Sequence, residues 1–189
     1  MRGAMVVTET APVELAGLER VFREHQARVF RAAFRITGNV HDAEDVLQAV
    51  FLRLALQGEE SRSMDNPASY LYRAAINASL DVLRGRREGQ NVPLDEAEAE
   101  GRLGKSPRTP EQLHEAAELC GWLRGAVARL DRRPAEIFAL RYLEGQGNRD
   151  IARMLGISRV SVAVTLHRTR QRLQNELRAW KRGRHDTRD

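Results

Sequence analysis

The stretch "NRDIARMLGISRVSVAVTLHRTRQRL", residues 148–173, decides how this chain is to be read. Ile151, Ala152, Leu155, Gly156, Ile157, Val162 and Leu166 have the spacing of two helices joined by a tight turn, a helix-turn-helix. Ala152 is small where the second helix would cross close by. Gly156 lacks the Cβ that opposes a left-handed backbone, so it suits the turn. Ser158 offers an oxygen to cap the second helix. Beyond it, Val162, Leu166, Thr169 and Leu173 share an inward face. The opposite face shows Arg159, Ser161, Ala163, Val164, His167 and Arg168, a surface able to enter a major groove.

Between residues 159 and 184 there are eight Arg or Lys and a single Glu. Such a run on its own reads as a solvated helical face. Beside the turn signature it reads as the salt-dependent, sequence-blind component of DNA binding. The bulk charge agrees, with a net +5 and a pI of about 10.1. At 30% charged and 5% aromatic residues the composition favours helices over a sandwich or barrel. Cys120 is the sole cysteine, which excludes an internal disulfide and a cysteine-based zinc site. It falls in an apolar stripe (Leu113, Ala116, Cys120, Leu123, Val127, Leu130) and reads as a buried core thiol. No run of 18 apolar residues exists, so neither secretion nor membrane insertion is expected, and a reducing cytoplasm fits.

Residues 88–101 hold five acids and no base, and the next ten add Pro107 and Pro110 with Gly104 and Ser106. This is linker composition. It divides the chain into 14–87, a linker at 88–109, and 110–180. The fold class expected is all-α: two small helical domains joined by a flexible acidic linker, the C-terminal one a helix-turn-helix. Thr109, Pro110 and Gln112 form a capping box that opens the second domain.

In the first domain a helix from Leu18 is broken by "TGN" at 37–39, and Asp42 reads as the N-cap of the next. That next helix, "DAEDVLQAVF" at 42–51, buries one stripe (Ala43, Val46, Leu47, Val50, Phe51, Leu54). Asp45, Gln48, Ala49 and Leu52 lie on a second face, which is either scattered surface or a docking site for a partner helix. His41, Asp42, Glu44 and Asp45 could suggest a metal, but Asp42 is better read as a cap and no second carboxylate cluster completes a cage. No metal and no cofactor is expected. The following helix, "NPASYLYRAAINASLDVLRGRR" at 66–87, has three arcs. Leu71, Ala75, Ala78 and Val82 form one, and Tyr72, Ile76 and Leu83 another. The third holds Tyr70, Arg73, Asn77, Asp81 and Arg84, followed by Arg86 and Arg87. Phosphate contact, base stacking and amide readout use such side chains, although alone this arc also reads as an exposed face with an Asp81–Arg84 pair.

Together, "DAEDVLQAVFLRL", "NPASYLYRAAINASLDVLRGRR", the acidic linker and "LRYLEGQGNRDIARMLGISRVSVAVTLHRTRQRL" resemble a bacterial extracytoplasmic-function sigma factor over about residues 15–175. The resemblance implies a non-enzymatic promoter-specificity factor. Its partners would be promoter DNA, core RNA polymerase (the largest-subunit coiled coil and the flap) and an anti-sigma factor. Asp45, Gln48, Ala49 and Leu52 would dock on the coiled coil. Tyr70, Arg73, Asn77, Arg84, Arg86 and Arg87 would engage the −10 element, and the loop at 57–66 would capture a flipped base. Ser158, Arg159, Ser161, Ala163, Val164, His167 and Arg168 would face the −35 element. The linker would thread towards the RNA exit path. Tyr70 stands where the family usually has Trp. "VAVTL" stands where it commonly reads Val-Lys-Ser-Arg-Leu, which shifts −35 contact towards thymine methyls and phosphates or weakens dependence on that element. The alternative is a helix-turn-helix regulator that does not bind polymerase, with 14–87 as a sensor or dimerisation domain. A nuclease or recombinase would need a carboxylate metal site or an activated nucleophile, and the sequence offers neither.

Overall fold

A computed structural model describes residues 11–56, 67–88 and 109–186, with side chains described over 17–56, 67–86 and 109–183. The 57–66 loop and most of the 88–109 linker lie outside the described residues. Every regular element among those described is helical. The order is α1 (Ala11–Thr37), α2 (Val40–Leu56), α3 (Pro67–Glu88), α4 (Pro110–Ala128), α5 (Arg132–Phe138) running into a π-helical segment (Ala139–Leu143), α6 (Asn148–Leu155) and α7 (Arg159–Asp186).

Local chemistry accounts for most of the boundaries. The α4 capping box forms as expected: Gln112 N donates to Thr109 Oγ1 at 3.4 Å, and Thr109 N donates to Gln112 Oε1 at 3.2 Å. Asn39, not Asp42, caps α2. The helix starts earlier than expected, so Asp42 N donates to Asn39 Oδ1 at 3.1 Å. Asp42 instead faces Arg86, whose Nη2 lies 2.7 Å from Asp42 Oδ2. Burial raises its carboxyl above the usual range, and Arg86 pulls the other way.

Three turns use left-handed glycine, at Gly38, Gly145 and Gly156. Gly156 has φ 63° and ends α6, with its own N–H bonded back into the helix. Gly38 has φ 70°, and a Cβ there would sit 2.1 Å from the Arg124 guanidinium. Gly156→Ala should therefore lower the unfolding free energy by about 1–2 kcal/mol through backbone conformation alone. Gly38→Ala should cost more, because Arg124 must also move. Urea midpoints of the two variants check this order.

The buried residues form two clusters, and α3 contributes to both, one for each half of the chain. Leu71 and Ala75 pack with Val29, Ala33, Val46, Val50, Phe51 and Leu54 from α1 and α2. Tyr72, Ile76, Leu80 and Leu83, on the next arc, pack instead with Ala126, Val127, Leu130, Ile137, Phe138 and Leu140 from the C-terminal half. Helix α1 is divided the same way: Val29 and Ala33 belong to the first cluster, Ala32 and Ile36 to the second. The expected stripe on α4 is buried only at its end. Val127 and Leu130 are core, while Leu113 is 42% exposed and Cys120 is half-buried, because the first turns of α4 project past the helices that would cover them.

Candidate nucleic-acid interface

The helix-turn-helix is assembled as its sequence requires. Ile151, Ala152 and Leu155 of α6 are buried, and Val162, Leu166, Thr169 and Leu173 of α7 face them. Ser158 caps α7, its Oγ accepting from Ser161 N at 3.0 Å. The two hydroxyls also meet at 2.8 Å. This packing turns Ser158, Arg159, Ser161, Ala163, Val164, His167 and Arg168 outward, all of them exposed. Arg159 and Arg168 make no ion pair among the described residues.

A groove opens beside this surface between α7 and residues 141–148, lined by Arg141, Tyr142, Asn148, Ala163, Leu166, His167 and Arg170. Arg141, Asn148 and Arg170 were not among the sequence-derived candidates. Their basic and amide character was visible, but the approach of residues 141–148 to α7 was not. Further along α7 the basic run is partly neutralised. Arg129 and Arg172 both hydrogen-bond Glu176, at 2.6 and 3.0 Å. The Arg129 bond, helped by Arg172, holds the Glu176 carboxyl below its usual range.

On α3 most of the candidate residues lie together and already have partners. Arg73 Nε donates to Glu136 Oε1 at 3.0 Å, and its Nη1 to Met154 O at 3.0 Å. Asn77 Nδ2 donates to the same Glu136 oxygen at 3.2 Å. Arg84 donates to Asp81 at 2.8 Å and to Leu130 O at 3.3 Å. Tyr70 is half-buried, Arg86 pairs with Asp42, and the Arg87 side chain is not described.

Glu136 was missed in the sequence. Its only signal is an acid set among the apolar Ala135, Ile137 and Phe138 that end a short helix, and its side chain is 4% exposed. Glu144 is its counterpart. The π-helical turn, in which Glu144 N reaches back to Ala139 O at 3.0 Å, brings it to Arg35 Nη1 at 2.7 Å and to the Tyr72 hydroxyl at 2.5 Å. Burial and the adjacent Glu144 carboxylate push the Tyr72 phenol well up.

On α2, Asp45, Gln48, Ala49 and Leu52 form an exposed ridge, Leu52 being 62% exposed. Leu56, one turn on and 79% exposed, extends it. Its spacing from Leu52 was available in the sequence. Among the described residues no group of His, Cys, Asp and Glu is placed to hold a metal ion, and no helix is long and apolar enough to cross a membrane.

Residues 21–88 match Sigma-70 region 2, and residues 120–173 match Sigma-70, region 4. The chain is 32% identical to the ECF RNA polymerase sigma factor SigE of Mycolicibacterium smegmatis over 163 residues, 84% of this chain and 61% of that protein. It is 24% identical to the ECF RNA polymerase sigma factor SigW of Bacillus subtilis over 159 residues, 82% of this chain and 85% of that one. To the ECF RNA polymerase sigma factor SigL of Mycobacterium tuberculosis it is 30% identical over 162 residues, 85% and 89% of the two chains. It thus spans less than two thirds of the first relative and most of the other two. The chain belongs to the extracytoplasmic-function group of RNA polymerase sigma factors. Its regions 2 and 4 are those of a factor that binds core RNA polymerase and directs promoter recognition, a role that carries no catalytic chemistry of its own.

Proposed function

We propose that the two halves of this sigma factor divide the promoter between them, with residues 14–87 working at the −10 element and residues 110–180 at the −35 element. The α2 ridge of Asp45, Gln48, Ala49, Leu52 and Leu56 docks on the largest-subunit coiled coil. Tyr70, Arg73, Asn77, Arg84, Arg86 and Arg87 hold the opened −10 strand, and the 57–66 loop takes an extruded base, for which a shaped pocket offsets the unstacking cost. The linker at 88–109 runs towards the RNA exit path. The second half approaches the flap, an anti-sigma protein keeps the factor from polymerase, and the whole cycle is cytoplasmic.

The observation that carries this reading is the division of α7: Val162, Leu166 and Thr169 are buried, while Arg159, Ser161, Ala163, Val164, His167 and Arg168 are all exposed at its N-terminal end. That is the presentation a recognition helix needs. Ala163 and Val164 offer methyls rather than hydrogen bonds, so base discrimination falls on thymine contacts and affinity on phosphates. Transcription in vitro with sigma-free core polymerase on genomic fragments tests the reading, because the purified chain should confer defined start sites. On the mapped promoters, Arg168→Ala should weaken −35 binding and reduce the slope of log K against log salt by about one. An unchanged slope would take Arg168 off the DNA.

A further inference from the structure

The N-terminal end of α7 is apolar where it points outward. At about 100° per residue, Ala163, His167, Val160 and Val164 fall, in that order, within little more than a quarter of the helix circumference. All four are exposed, Val160 at 71% and Val164 at 42%. His167 stands nearly a turn beyond Val164, so the opening turns of this strip carry no polar side-chain atom. Arg159 lies on one flank of the strip and Arg168 on the other, both exposed. Val160 was not among the sequence-derived candidates.

We infer that Val160, Ala163 and Val164 read pyrimidine C5-methyl groups in the major groove of the −35 element, and that they accept 5-methylcytosine as they accept thymine. This rests on the placement of α7 at the −35 element. Guanine and adenine are told apart by paired hydrogen bonds from a guanidinium or an amide, and the strip has neither. The apolar feature that a base edge offers in the major groove is the C5-methyl of thymine. Methylation at C5 puts the same group at the same place on cytosine. The two bases then differ at C4, an O4 acceptor against an N4 donor, which no side-chain atom of Val160, Ala163 or Val164 can bond. β-Branching holds a helical valine in one strongly preferred rotamer, so the methyls are set before DNA arrives. Arg159 and Arg168 position the strip through phosphates, which carry no sequence information, and leave the choice of base to it. Val160 is the most exposed of the three and nearest the N-terminal end that contacts base edges in such helices. Cytosine methylation within the −35 element thereby becomes a positive input to promoter choice.

The test uses holoenzyme assembled from the full chain and sigma-free core polymerase. It is titrated on fluorescein-labelled duplexes of a mapped promoter, at a temperature too low for strand opening. Replacing each −35 thymine in turn with deoxyuridine removes only the methyl. Beneath the strip, affinity should fall about three- to fivefold, the worth of one buried methyl. At those positions a cytosine–guanine pair should also bind weakly, and 5-methylcytosine in place of cytosine should recover most of the loss. Val160→Ala and Val164→Ala change exposed side chains, so the fold should hold. Both should lower affinity for the thymine duplex and leave the deoxyuridine duplex unchanged. Equal binding of thymine and deoxyuridine duplexes would overturn the inference. So would 5-methylcytosine that binds no better than cytosine, which puts recognition on thymine O4, or valine variants that weaken both duplexes alike. Arg168→Ala separates these results from a failure of the premise. A reduced salt slope beside indifference to the methyl rejects the methyl reader alone. An unchanged slope together with that indifference rejects α7 as the −35 contact, and the inference with it.

Discussion

Asn77→Ala will impair promoter opening while leaving closed-duplex binding largely intact. Asn77 sits mid-helix on α3, between Arg73 and Arg84. Its Nδ2 reaches Glu136, and its Oδ1 has no partner. On the proposed −10 assignment the same amide would present a donor and an acceptor to a base edge of the opened strand, a contact worth about 1–3 kcal/mol. Open-complex occupancy should therefore fall about tenfold or more, read as lost permanganate reactivity at the −10 thymines. On the proposed assignment, affinity for the closed duplex rests on guanidiniums and on α7, and should change little. Equal losses in both assays would place Asn77 in general binding and not in strand capture.

Ile76→Ala should have the largest effect on stability, and it should be felt across the whole molecule. Ile76 is fully buried in the cluster that α3 shares with the C-terminal half. Removing its outer carbons leaves a cavity in that cluster and costs about 2–5 kcal/mol. Both tryptophans, Trp122 and Trp180, belong to the C-terminal half and lie near each other, ring centroids 5.9 Å apart. Their fluorescence therefore reports a mutation made in the other half only if the core is continuous. Urea unfolding followed by tryptophan emission should show a midpoint lowered in proportion. A transition at the wild-type midpoint would mean that the halves unfold separately. Leu56→Ala on the α2 ridge is the control, with an expected change within about 0.5 kcal/mol because the side chain is already in water.

Local rules accounted for much of this molecule. The turn at Gly156, the Ser158 cap, the Thr109 capping box and the inward set Val162, Leu166, Thr169 and Leu173 all follow from interactions between residues a few positions apart. The two apolar arcs of α3 were likewise legible, because helical geometry assigns each side chain its direction. The errors arise where a local rule had a local competitor or needed a partner. Asp42 is a good cap by type, but Asn39 reaches the free amides first and leaves Asp42 to Arg86. The α4 stripe has the right period, yet nothing packs on its first turns, and Leu113 stays exposed.

What lies against the third arc of α3 was beyond any reading of spacing. Arg73 and Asn77 meet Glu136 across 63 and 59 residues of chain, and Arg35 meets Glu144 across 109. Those pairings depend on how α5, the π-helical turn and α6 pack onto α1 and α3. A residue's type, period and helical face are properties of a short segment and can be read there. The identity of its neighbour across the core is a property of the packed chain. The donors on α3 were therefore recognisable from the amino acids alone, and the acids that hold them came into view only once the helices had been assembled.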